Sequence, residues 1–351
     1  MIDLLNLNAT GGTFMREKDY NLELIRMASF VLVIAIHVSN YFCRAYGEIP
    51  DGEYLFSLAV DTFARVSVPC FFMISGALLL GRDEPLEKHW KRIRRFFLAL
   101  VVWSVIYYLW NTFYMKSDFD LRKIFYVPAE AHLWYLYAMI PIYLALPFLQ
   151  VMCRHMGPKL EKAFLIIATC AVLANDLLWL LGGELYYDLP LVGDRVYAYY
   201  LYIGYYLYKY RDKIRLSQRS AALLCLGGMA VSFGATLAVT VWRGDHYEGA
   251  LTYGMPFVVL SGAAFFLYML RVKGGHFQPK EGARRVIDLF GGLSFGIYLI
   301  HILFLDNYKK HMEACDLSAW IAVPGLIVTI TAVSFACVYV IRLTKVGRKI
   351  T

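Results

Sequence analysis

Arg26 and His37 stand eleven residues apart in the apolar stretch 22–43. At ~100° per residue that separation is close to three full helical turns, so both project from one face, roughly 16 Å apart along the axis. Glu23 is one turn from Arg26 on the same side. A charged side chain inside a bilayer costs several kcal/mol unless it snorkels, pairs or faces a wet cavity. An arginine and a histidine in register within one span therefore point to a lined path. A histidine, with an ordinary pKa near ~6.5, suits proton transfer at neutral pH. The structural alternatives are an arginine that snorkels to the interface and a histidine satisfied between helices.

Other apolar stretches carry chemistry at helical spacing. Asp61 and Arg65 are four residues apart and can pair on one face, as a structural ion pair or as part of a site; Pro69 and Ser75-Gly76 follow. Ser294, Tyr298 and His301, at spacings of four and three, share a face of a later helix that Gly291, Gly292 and Gly296 make thin. If His37 and His301 sit at comparable depth, two histidines can converge on one cavity. His132 opens another apolar stretch beside Trp134 and Tyr135; interfacial anchoring explains the two aromatics better than it explains the histidine. Arg92 and Arg95, with Lys91 and Arg94 beside them, form a basic patch at the start of a further helix. Guanidinium forks suit a phosphorylated ligand, and anchoring to anionic lipid explains the same cluster.

The elements that must position these residues are membrane spans. Of the 351 residues 59% are hydrophobic and 18% charged, which excludes an ordinary soluble domain. Aromatics reach 16%, with 27 tyrosines, consistent with interfacial belts and polar aromatic surfaces between helices. Apolar runs between basic, turn-rich breaks predict an all-α polytopic bundle of about ten transmembrane helices, near 22–43, 56–80, 96–115, 132–152, 163–181, 196–209, 219–242, 249–270, 287–307 and 318–341. The sixth is the shortest and weakest.

The formal charge of +8 belongs to topology rather than to nucleic acid. With an N-terminus in the cytoplasm, the inner loops and tails hold about 25 of the 35 Lys and Arg, against about 8 outside. The expected organisation is a tail over 1–20, a membrane domain over 21–342 and a basic cytoplasmic tail over 343–351, with both termini inside. The loop near 182–195 is expected outside. The first fourteen residues carry little information, and no cleavable signal peptide is indicated. Seven scattered cysteines show neither a disulfide framework nor metal spacing, so no metal is expected.

Taken together, these motifs resemble the acyltransferase 3 family of membrane proteins. Arg26 and His37 match its Arg-x10-His signature, with Glu23 where an aspartate is common. Arg92 and Arg95 match its Arg-x-x-Arg motif, Phe71-Phe72-x-x-Ser75-Gly76 its second-helix stretch, and Gly296-x-Tyr298-x-x-His301 its late stretch. The resemblance runs from about 20 to 342 in order and is strongest to the enterobacterial common antigen O-acetyltransferase subgroup. It implies acyl transfer from a cytoplasmic acyl-CoA, here acetyl-CoA, to a hydroxyl of a cell-envelope glycan or glycolipid at the bacterial inner membrane.

Acyl transfer to an alcohol needs a base, stabilisation of an oxyanion and a grip on the CoA phosphates. His37 is the expected base, and Arg26, Tyr298 and His301 are expected to orient the thioester or donate to the oxyanion. Arg92, Arg95 and Lys91 are expected to hold phosphate. Glu23, Asp61, Arg65, His132 and Ser294 support the cavity. Membrane lipid is a further expected partner. The rival readings are a transporter or flippase of a polar envelope precursor, and a membrane module that binds or senses a ligand.

Overall fold

The computed structural model describes residues 18–117, 120–183 and 196–351. The tail at 1–17 and nearly all of the loop expected outside, 184–195, lie outside the described residues.

Among the described residues the chain is helical and has no strand. The α-helices are α1 (Tyr20–Cys43), α2 (Asp51–Ala64), α3 (Ser67–Leu79), α4 (Leu86–Leu109), α5 (Trp134–His155), α6 (Pro158–Leu180), α7 (Tyr197–Lys209), α8 (Gln218–Arg243), α9 (Pro256–Leu270), α10 (Glu281–His311), α11 (Ala319–Ile341) and α12 (Gly347–Ile350). Nine helical stretches among the described residues are long and apolar enough to cross a membrane, so this is an integral, multi-pass membrane protein. The expected sixth span is α7, whose 13 residues cover only ~20 Å of a ~30 Å hydrocarbon core.

Local chemistry explains where the helices begin and break. The Asp19 carboxylate caps α1 by accepting from the backbone N–H groups of Asn21 and Leu22 at 3.0 and 3.4 Å. The second span is bent, because α2 stops at Ala64 and α3 resumes at Ser67. Pro69 has no N–H to give the Arg65 carbonyl four residues earlier, and at the break the Ser67 hydroxyl donates to Ala64 O at 2.7 Å.

Side-chain ties show that successive spans alternate in direction. At one end, Lys18 pairs with Asp288 at 2.6 Å, Arg211 with Asp19 at 3.0 Å, and Gln150 reaches Leu79 O. This end carries most of the basic segments and is called the basic end below. At the other, Tyr41 donates to Met312 O, Asn40 to Glu248, and Ser318 to Glu53. Helix α1 is central, packed by α2, α3, α9, α10 and α11. Apolar side chains such as Leu223, Ile321 and Val328 stay exposed on the flanks, where lipid would meet them.

Helices α3 and α7 pack backbone to backbone. A Cβ on Gly76 would fall 1.7 Å from Leu201 O, and one on Gly204 would fall 2.1 Å from Met73 O. Glycine at both positions is what allows this approach.

The segment expected as a basic tail is folded back on the bundle. Helix α12 turns back against α4 and α10; Trp103 donates to Ile350 O at 2.9 Å, Arg95 to Thr351 O at 3.3 Å, and Thr351 is buried beside Gly296. Arg348 and Lys349 are exposed while Gly347 and Thr351 are buried against the bundle, a contact that charge counting overlooks.

Candidate active site

A cavity of about 260 Å³ lies among α1, the α2–α3 bend, α4, α5 and α10. His37, Asn40 and Arg44 descend one side of α1 into it; Arg65 enters at the bend, His132 comes from the short 3-10 turn Ala131–Leu133 and Trp134 from the start of α5. Ser294, Phe295 and Tyr298 line it from α10. Arg44 and Glu248 lie at the end opposite the basic one. Toward the basic end, Phe96 and Phe295 meet at 5.2 Å between ring centroids, with Tyr143 against Phe96 at 4.8 Å.

Three histidines converge here. The His37 and His301 ring centroids are 5.2 Å apart, His132 and His301 5.3 Å, and His37 and His132 6.4 Å. Two of the rings are oriented by main-chain carbonyls. His301 Nδ1 faces Tyr298 O at 2.6 Å and His132 Nε2 faces Leu299 O at 3.3 Å. A nitrogen facing a carbonyl must carry the proton, which leaves His301 Nε2 and His132 Nδ1 as acceptors. Both are buried without a hydrogen-bond partner. His37 is half-buried, lines the cavity, and makes no hydrogen bond among the described residues. The Tyr298 hydroxyl donates to His132 O and the Tyr107 hydroxyl to Leu299 O at 2.8 Å, so α4, α5 and α10 are tied together around the imidazoles.

Beyond the histidines runs a charge-balanced chain. Asp61 Oδ2 accepts from Arg65 at 2.8 Å, Arg65 reaches Glu248 Oε2 at 3.2 Å, and Glu248 Oε1 accepts from Arg44 at 3.2 Å and from Asn40 at 2.8 Å. Burial alone would raise the Glu248 carboxyl, but Arg65, Asn40 and Arg44 outweigh it and hold it below the usual glutamate value.

The expected site residues therefore separate. His37, Arg65, His132, Ser294 and Tyr298 line one cavity, with His301 against it and Asp61 behind Arg65. The Ser294 hydroxyl turns back to Gly291 O at 2.9 Å. Arg26 and Glu23 do not reach the cavity. Arg26 Nη1 donates to both Glu23 oxygens at 2.7 Å, about three turns along α1 from His37, so the shared helix face does not make a shared site. The Tyr298 hydroxyl, engaged with His132 O, positions the histidine rather than facing a thioester. Arg92 is buried and paired with Glu84 at 2.5 Å, Arg95 meets Thr351 O, and Lys91 is exposed. No group of His, Cys, Asp and Glu is arranged to hold a metal ion among the described residues.

Sequence reasoning missed Asn40, Arg44, Glu248 and the Phe96–Phe295 pair. Asn40 and Arg44 continue the His37 face at three and seven residues and were within reach of the same periodicity. Glu248 comes from a loop with no local signal.

A multi-pass helical protein that gathers three histidines in a cavity between its spans has the makings of a membrane enzyme for proton-transfer chemistry. The family model of the acyltransferase 3 domain, described as an acyltransferase domain, matches residues 19–339. The chain belongs to that family. It is also similar to an amino-acid racemase of Enterococcus faecalis, 22% identical over 334 residues, covering 85% of this chain and 43% of that protein. No solved structure matches the chain significantly.

Proposed function

We propose that the protein is an O-acyltransferase that moves an acyl group, acetyl in the simplest case, from cytoplasmic acyl-CoA to a hydroxyl of an envelope glycan or lipid-linked saccharide at the bacterial inner membrane. The observation that carries this reading is the histidine cluster. His37 is open to the cavity and backed by two imidazoles whose free nitrogens are acceptors.

In the proposed reaction His37 takes the proton of the acceptor hydroxyl as its oxygen attacks the thioester carbonyl. A tetrahedral oxyanion forms, with Arg65 as a fixed positive charge lining the cavity. The C–S bond then breaks, the ester is released, and the proton on His37 passes to the departing thiolate as free CoA. His301 and His132 hold the hydrogen-bonding field around the base.

The donor is read as entering from the basic end, taken as cytoplasmic with both termini, past Lys91 and Arg95. Arg95 immediately precedes Phe96 of the cavity wall. Acetyl-CoA is a co-substrate here, and the acceptor hydroxyl arrives from the end marked by Arg44 and Glu248.

The test is sealed proteoliposomes of defined orientation with labelled acetyl-CoA and crude envelope glycolipid. Label should pass to the glycolipid only when acetyl-CoA is on the Lys91 side and acceptor on the other, and CoA release should require His37. Solute flux without acetyl-CoA, or release of CoA independent of His37, would overturn the reading.

A further inference from the structure

The cavity mouth opposite the basic end is built for an uncharged ligand with many hydroxyls. Asn40 is one turn and Arg44 two turns outward from His37 on α1, ~4.5 and ~10 Å along the axis, so a group bound beside them lies next to the proposed base. Across the mouth stand Glu248 and Trp134.

The charges at this mouth are already matched. Arg44 and Arg65 face Glu248 and Asp61, two cations for two carboxylates, with contacts between 2.8 and 3.2 Å. A ligand carboxylate would meet Glu248, and a ligand ammonium would meet the guanidinium groups, so neither sign of charge is invited. The side chains remain reachable, however: that of Arg44 is 71% exposed and that of Glu248 34%. Their spare lone pairs and N–H groups are what vicinal hydroxyls need.

The aromatic side of the mouth is rigid. Trp134 is half-buried, with Tyr197 stacked on its indole at 4.9 Å and 28°, and Tyr253 tilted against it at 6.1 Å. Among the described residues its Nε1–H makes no hydrogen bond. A fixed indole with a free N–H offers an apolar face and one donor, which matches a ring with an apolar C–H face and hydroxyl edges.

We infer that Trp134, Glu248, Asn40 and Arg44 form a subsite for an uncharged pyranose, which sets which hydroxyl reaches His37. This rests on the transferase reading for its catalytic meaning, but the binding it asserts stands by itself.

The experiment is therefore read without acyl-CoA. Purified protein, in a detergent lacking a sugar headgroup, is titrated with methyl β-glucopyranoside, methyl glucuronide and serine, using saturation-transfer difference NMR. Expected is saturation strongest on glucoside ring C–H protons, an apparent affinity weakened at least tenfold in Trp134→Ala and largely kept in Trp134→Phe, and a three- to tenfold loss in Glu248→Gln. Gel filtration and unchanged melting of the Trp134→Phe protein establish that the fold is retained. Equal signals in wild type and Trp134→Ala, or binding of serine or the glucuronide in preference to the glucoside, would overturn the subsite. Failure of acyl transfer with intact, Trp134-dependent glucoside binding would remove the transferase reading and leave the subsite standing.

Discussion

His37 on α1 and His301 on α10 bring their rings within 5.2 Å, and the Tyr298 carbonyl fixes the proton of His301 on Nδ1. The remaining nitrogen, Nε2, is buried and unpartnered. In the proposed reaction His37 meets substrate and His301 positions it. His37→Ala is expected to lower kcat by about 10²–10⁴, the range for removing a general base, while leaving acetyl-CoA binding nearly intact. His301→Gln, which cannot supply the same paired nitrogens, should shift the pH profile of kcat as well as its height. Near-normal turnover in folded His37→Ala would remove the assignment.

Arg92 and Arg95 should behave differently, although they sit one turn apart. The Arg92–Glu84 contact of 2.5 Å is nearly solvent-free, with side chains 3% and 6% exposed. Burial by itself would raise the Glu84 carboxyl, yet Arg92 and Arg82 prevail and hold it below its ordinary value. Arg92→Ala leaves that carboxylate only the longer 3.4 Å contact to Arg82 and is expected to cost up to about 3 kcal/mol of stability, read by thermal unfolding. Arg95→Ala should lower melting less than Arg92→Ala and weaken CoA by roughly ten- to hundredfold, the worth of a charged hydrogen bond of ~1.5–3 kcal/mol. Phosphate-free pantetheine should lose much less. Equal losses for both ligands would assign Arg95 to packing instead.

Gly204→Ala places a methyl group within 2.5 Å of the Met73 backbone, where no side chain can swing aside. A destabilisation of about 1–3 kcal/mol is expected from overpacking, with loss of the α3–α7 contact. Gly227→Ala, whose Cβ would meet nothing within 4 Å, is the matched control and should melt like wild type.

Glu248 predicts an acid limit for the cavity mouth. Its folded pKa lies below the ordinary 4.5, so its contribution is fully present above 4.5 and is lost as pH falls through the lower folded value. Wild type should therefore lose more melting temperature than Glu248→Gln on acidification below pH 4.5. Parallel curves for the two proteins would show that the Arg65 and Arg44 contacts do not stabilise the fold.

The membrane class, the approximate spans, and His37 with His301 as partners were legible in the sequence because they depend on local quantities. Runs of apolar residues report burial in lipid, and helical periodicity reports which residues share a face. The family's motifs stood in order for the same reason. What periodicity cannot give is how faces from different helices are rotated toward one another. Arg26 and His37 share a face of α1, yet Arg26 is taken by Glu23 one turn away and His37 by the cavity. Equally, a basic cluster does not say which arginine is already neutralised; Glu84 decides that for Arg92. The groove filled by Thr351 and the arrival of Glu248 from a distant loop depend on contacts between segments far apart in the chain. Only the tertiary structure decided that His132 joins His37 and His301, because the Leu299 carbonyl that orients its ring belongs to a helix more than a hundred residues away.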